Sequence, residues 1–276
     1  MTTPQITSAT NSRIKTLVRL RNRRERDDAR RFLIEGYREL TRALDAGVSI
    51  ETLFTCPDLH LGPNDAALVE RAATAGAEVV TVAAGPFRKA SYRDRPEGLL
   101  AVAAHFDTGL ARLDLTGTPL VLVTEGIEKP GNLGTMLRTA EAAGASGVIV
   151  ADPTTDPFNP NVVRASLGTL FTVPLAVAST TDAISFLRGS GVTIVATTPV
   201  GDSPHYAPDY TPASAVVVGS EQYGLSREWL EAADVRVVIP MPGSVDSLNA
   251  AMAAGIVLFE AVRQRTIAGQ TPGTSR

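Results

Sequence analysis

From Pro119 onward the chain repeats one kind of segment: LVLVTE, GVIV, VTIVAT, SAVVVG and VRVVIP, short runs of Val and Ile separated by helical stretches. A strand apolar at nearly every position has no wet side. It belongs in a parallel sheet covered by helices on both faces, which makes this part of the chain α/β. The intervening periodicity predicts helices over 133–143, 161–167, 181–188, 226–232 and 248–264.

The first hundred residues read differently. FLIEGYREL running into TRALDAG predicts a short strand and then a helix, with Gly36 at the turn. Residues 50–54 and 78–82 are strand-like and 66–74 helical, giving a smaller α/β unit. Low hydrophobic periodicity with Gly109, Gly117 and Pro119 marks the boundary. The expected organisation is a domain over 1–107, a linker over 108–117, a second domain over 118–267 and a disordered tail over 268–276.

A chain of 276 residues, 44% hydrophobic and 20% charged, is globular rather than fibrous or disordered, with room for two cores. Cys56 is the single cysteine, so no internal disulfide forms, and a reducing, cytoplasmic setting is expected. No signal-like or membrane-spanning apolar run is present. Net charge is only −3, but residues 1–31 hold nine Lys or Arg against three Asp or Glu, a local +6 that leaves −9 for the rest. Arg13, Lys15, Arg19, Arg21, Arg23, Arg24, Arg26, Arg30 and Arg31 suit phosphate contacts that set position rather than read sequence. A solvated helix from Ser12 to about Arg24, with Ile14, Leu17 and Val18 inward, explains the same residues equally simply.

Three loops follow apolar strands. The first, EGIEKPGNLGTMLRTA over 125–140, offers Asn132 as a helix cap; the second, GSEQYGLS over 219–226, offers Ser226; the third, IPMPGSVDSLN over 239–249, offers Ser247. Their glycines fit neither GxGxxG nor GxxxxGK[ST], which excludes a nicotinamide fingerprint and a P-loop. Ligands collect outside the carboxyl ends of parallel strands, which is where all three loops stand.

Taken together and in order, Asn132 to Arg138, GSEQYGLS and IPMPGSVDSLN resemble the three motifs of the SpoU, or TrmH-like, RNA 2'-O-ribose methyltransferases of the SPOUT superfamily. The resemblance implies a C-terminal SPOUT domain with a deep trefoil knot around a mostly parallel sheet, and an N-terminal L30e/L7Ae-like substrate-binding domain. It implies S-adenosylmethionine as cofactor, held by Thr197, Gly219, Glu221, Ile239, Ser247, Leu248 and Asn249. Arg138 takes the place of the catalytic arginine, with Asn132, Glu221, Ser247 and Asn249 beside it. It further implies a homodimer through the knotted domains, with each active site completed across the interface. Ser220 and Gln222 depart from the family's Gly-Asn-Glu-Gly pattern, which bears on loop shape and target preference.

The implied reaction is methyl transfer to a ribose 2'-hydroxyl of ribosomal RNA, above all 23S rRNA. Transfer RNA is the enzymatic alternative, and non-catalytic binding of structured RNA the other. Housekeeping modification and antibiotic resistance share this chemistry. Arg164 and Ser166, within 156–168, are placed toward RNA or the knot entrance. Arg88, Lys89, Arg93 and Arg95 flank Phe87 and Tyr92, a basic and aromatic patch suited to RNA contact or an ordinary surface loop. His60, His105 and His205 lack ligand spacing, so no metal is expected.

Overall fold

A computed structural model describes residues 5–270; the tail residues 271–276 lie outside them. The chain divides into two compact units: one is the chain up to Phe106 together with Asp156–Thr172, the other Asp107–Thr155 with the chain from Val173 on.

In the first unit α1 (Ser12–Arg19) and α2 (Arg23–Ala29) precede β1 (Arg31–Glu35), α3 (Tyr37–Asp45), β2 (Ile50–Thr55), α4 (Asn64–Thr74), β3 (Glu78–Thr81), α5 (Ala84–Ala90) and β4 (Leu99–Ala104). The sheet order is β1-β4-β2-β3, with β4 antiparallel to β1 and β2, and β2 parallel to β3. Neither α5 nor β4 is among the expected elements, because LLAVAA is a short apolar run whose periodicity does not distinguish strand from buried helix.

The single basic helix expected near residues 12–24 is two helices. Asn22 breaks it by accepting the Arg24 N–H on its side chain at 2.9 Å and capping α2, a position asparagine prefers to a helix interior.

The second unit continues with β5 (Leu120–Glu125), α6 (Pro130–Ala142), β6 (Gly147–Ala151), α7 (Pro160–Ser166), β7 (Leu175–Ala178), α8 (Thr180–Gly189), β8 (Thr193–Thr197), β9 (Ser203–Pro204), β10 (Ser214–Val218), α9 (Arg227–Ala232), β11 (Val235–Val238) and α10 (Ala250–Ile267), of which α7 alone belongs to the first unit. Its seven strands are all parallel, in the order β7-β6-β5-β10-β8-β11-β9. Val121, Val123, Ile149, Ile194, Ala215, Val217 and Trp229 share its main core. Buried Arg265 donates to the carbonyls of Tyr210, Thr118, Pro119 and Pro212, fastening α10 to the segments that enter β5 and β10.

Two expected boundaries differ. Residues 108–117 are not a free linker: the Thr108 carbonyl accepts the Val177 N–H at 2.8 Å, and Leu113 is buried in the second unit's core. Asp156–Thr172, expected inside a continuous domain over 118–267, packs with the first unit because its groups find their partners there. Arg26, buried rather than facing a phosphate, donates to Asp156 Oδ2 from Nε at 3.0 Å and Nη2 at 2.7 Å. Phe158 stacks on His105 at 4.0 Å and lies 4.9 Å from Phe32. No helix among the described residues is long and apolar enough to cross a membrane.

Candidate functional site

Because β5, β10, β8 and β11 are consecutive and parallel, the loops after them leave one edge of the sheet together. There a single carboxylate joins all three motifs. Glu221 Oε1 accepts the Asn132 side-chain N–H at 2.9 Å and that of Asn249; Oε2 accepts Lys129 Nζ. Asn249 Nδ2 also reaches Asn132 Oδ1 at 3.1 Å.

Helix ends prepare these contacts. Lys129 occupies the N-cap position of α6, so Asn132 lies inside the first turn and does not cap it, which frees its amide for Glu221. Asn249, and not Ser247, caps α10: its Oδ1 accepts the N–H groups of Ala251 at 3.0 Å and Met252 at 3.3 Å, leaving Nδ2 for the cluster. Ser226 does cap α9. Glu125, buried at the end of β5, accepts the Ser226 N–H at 2.7 Å and so positions the start of that helix.

The hydrogen bond from Lys129, then that from Asn132, hold the Glu221 carboxyl below its ordinary value. The same hydrogen bond from Lys129 to Glu221 raises the ammonium. A carboxylate so held is a weak proton acceptor; it organises donors.

Beside the cluster opens a cavity of about 410 Å³ lined by Thr197, Gly219, Glu221, Ile239, Ser247 and Leu248 among others, a volume in the range of small-molecule sites. These are six of the seven residues the resemblance implies for the cofactor; Asn249 meets the site through Glu221. Thr197 Oγ1 is buried in the wall without a hydrogen-bond partner among the described residues, a polar atom suited to a ligand group. A Cβ on Gly219 would stand 2.2 Å from the Gly224 carbonyl, so only glycine permits this close approach of the loop's two limbs. Apolar walls from Leu225, Ile239, Met241 and Leu248, with the polar side chains of Thr197, Glu221 and Ser247 among them, fit a nucleoside-sized ligand such as S-adenosylmethionine.

Arg138 is not part of this cluster. It lies on the exposed face of α6, makes no hydrogen bond or ion pair among the described residues, neither Asn132 nor Ser247 included, and is absent from the cavity wall. Lys129 lies in the first motif without a role implied by the resemblance; its only signal in the sequence is a lone cation just before a helix start.

The basic residues of the first unit separate into two kinds. Arg13 pairs with Glu78 at 2.8 Å, Arg23 with Asp27 at 3.5 Å, and Lys89 Nζ reaches the Ala9 carbonyl at 3.1 Å. Arg21 Nη2 donates to the carbonyls that end α5, those of Lys89, Ala90 and Ser91. Arg93 is largely buried, held by Glu39, Glu97 and the Glu35 carbonyl, and is thus a structural cation. Ser166 is buried on the Val163 carbonyl and cannot face RNA. Lys15, Arg19, Arg88 and Arg164 are exposed.

The fold and site together are those of an RNA methyltransferase with a separate substrate-binding domain: residues 119–259 match the SpoU rRNA Methylase family and residues 11–101 the MRM3-like substrate binding domain. The chain belongs to the SpoU family and is an S-adenosylmethionine-dependent RNA 2'-O-ribose methyltransferase. It is 33% identical to the 23S rRNA (uridine(2479)-2'-O)-methyltransferase of Streptomyces viridochromogenes, over 92% of this chain and 90% of the other. It is 31% identical to the 23S rRNA (guanosine(2553)-2'-O)-methyltransferase RlmP of Bacillus subtilis, over 92% and 98%. The crystal structure of an AdoMet-bound rRNA methyltransferase from Sinorhizobium meliloti superposes with a TM-score of 0.86 at 35% identity, covering 94% of this chain and 97% of that one.

Proposed function

We propose that this enzyme methylates a ribose 2'-hydroxyl of 23S rRNA. The observation that carries this reading is the meeting of Lys129, Asn132 and Asn249 on the Glu221 carboxylate beside a nucleoside-sized cavity. S-adenosylmethionine, when bound, supplies the methyl group on a sulfonium centre. Thr197, Gly219, Ile239, Ser247 and Leu248 would hold it, while Glu221 and Asn249 fix the loops at its edge. The apolar wall excludes water, and fixed loops favour an in-line approach of the hydroxyl.

Loss of the hydroxyl proton needs stabilisation of negative charge on oxygen. Arg138, a guanidinium that stays charged, serves this by pairing with a target phosphate and the 2'-oxygen rather than by acting as a base, and the hydroxyl proton leaves to solvent at the cavity mouth. Its position outside its own cavity wall favours a site completed by a second copy of the chain. Met252 and Phe259, exposed on α10, suit that pairing. The trefoil threading belongs to the same proposal; the late strand β10 between β5 and β8 supports it. Phosphate contacts are assigned to Lys15, Arg19, Arg88 and Arg164, four exposed cations of the first unit.

The test is methyl transfer from labelled S-adenosylmethionine to unmodified 23S, 16S and transfer RNA, with mapping of the label. Label on one ribose of 23S rRNA is the expected result. Label confined to 16S or transfer RNA would overturn the substrate, and none on any RNA the reaction.

A further inference from the structure

The loop after β10 ends in a tip closed by its own hydrogen bonds. Ser220 and Gly224 exchange two backbone bonds of 3.1 and 3.0 Å, so that Glu221, Gln222 and Tyr223 alone project beyond them. Ser220 Oγ accepts the Tyr223 N–H at 3.0 Å, and Gly224 reverses the chain at φ +68°. The contact of Gly219 with Gly224 holds the two limbs together below. Such a tip fixes where each projecting side chain starts.

Glu221 is occupied by Lys129, Asn132 and Asn249. Tyr223 is not occupied: it is 76% exposed, its hydroxyl makes no hydrogen bond among the described residues, and yet it lines the cavity. Val200, 81% exposed, lines the same cavity, so the mouth carries apolar surface open to solvent. A flat ring with a polar tip, presented to solvent at the entrance of a ligand site, is the form in which proteins offer a stacking face to an unpaired base.

We propose that Tyr223 is the platform on which a nucleobase of the RNA stacks as its ribose enters the cavity. The proposal rests on the RNA methyl-transfer reading. A ring three-quarters in solvent stands where the incoming RNA meets the cavity, whereas a ligand inside has the walls of Leu225, Ile239 and Leu248. Because every base has a π-face, Tyr223 selects an unstacked nucleotide, and it leaves base identity to other contacts.

Tyr223→Trp reports on this directly. The chain's one natural tryptophan, Trp229, is fully buried with Nε1 bonded to Thr180, so an indole at position 223 is the exposed fluorophore. Titration with in vitro transcribed, unmodified 23S rRNA is expected to quench it saturably, and S-adenosylmethionine alone to leave it unchanged. In parallel, Tyr223→Ala lowers kcat/KM for the RNA about 10-fold or more, as loss of one base–aromatic stack requires. Tyr223→Phe restores it, Tyr223→Leu does not, and the Kd for the cofactor is unaffected. Quenching by S-adenosylmethionine alone, or none by an RNA that the protein methylates, overturns the platform. An RNA that quenches the indole but receives no methyl group would leave the platform standing and remove the reaction.

Discussion

Glu221 shows how much one side chain can depend on its charge. Its two oxygens receive donors from Lys129, Asn132 and Asn249, and a neutral amide of the same shape would turn an N–H toward at least one of them. Glu221→Gln is therefore expected to fold normally and lose 10-fold or more in kcat/KM, measured by methyl transfer beside a thermal melt, since it breaks charge-assisted bonds at the site. The pH dependence has a definite sign. A carboxyl held below its ordinary value of 4.5 keeps the cluster together at and above that pH and releases it as pH falls through the lowered value. Titration of the Glu221 carboxyl by NMR should show a midpoint below 4.5, and Lys129→Ala should move that midpoint upward. Of this cluster the motif pattern made Asn132, Glu221 and Asn249 legible as site residues. It did not reveal that one carboxylate gathers the other two, because hydrogen-bond partners 28 and 89 residues apart follow from strand order, not from spacing.

At the scale of elements, the Val and Ile runs announced β5, β6, β8, β10 and β11, since a strand buried on both faces needs no alternation. Elements whose sequence serves two purposes carry a weaker signal. Asn22, a residue compatible with the body of a basic helix, instead starts a second one. That second helix carries Arg26, whose place in a basic run suits a phosphate contact but which is buried against Asp156 at 2.7 Å, with its Nη1 on the carbonyls of Leu20 and Arg21. A buried pair stabilises weakly against apolar residues of the same shape, but a single missing partner leaves an uncompensated charge. Arg26→Ala should thus destabilise the first unit by about 3–5 kcal/mol, read from chemical denaturation. Arg26→Met together with Asp156→Leu should recover most of it, which would separate loss of the charge partner from loss of packing.

The whole molecule raises the question of how Arg138 meets the chemistry. Sequence pattern put Arg138 and Asn132 in one motif, six residues apart on α6, yet the helix turns them to different surroundings: Asn132 to Glu221, Arg138 to solvent. A side chain on the exposed face can act on a ligand of another copy more easily than on one in its own cavity, which is the reason for proposing a homodimer with shared sites. That proposal has an arithmetic consequence. Arg138→Ala and Glu221→Gln each impair every site of their own homodimers. When the two are unfolded and refolded together in equal amounts, half of the dimers are mixed. If Arg138 of one copy serves the cavity of the other, a mixed dimer has one site carrying both substitutions and one carrying neither. The mixture should then recover about a quarter of the unsubstituted activity, the fraction that random two-fold pairing dictates. If Arg138 serves its own cavity, every site in the mixture carries one substitution or the other, and refolding together recovers nothing beyond the mean of the two variants. Phe259→Asp, placed on the exposed side of α10, should abolish the recovery while leaving the cofactor Kd unchanged. The paired phenotype assigns the loss to separation of the copies and not to damage of the cavity.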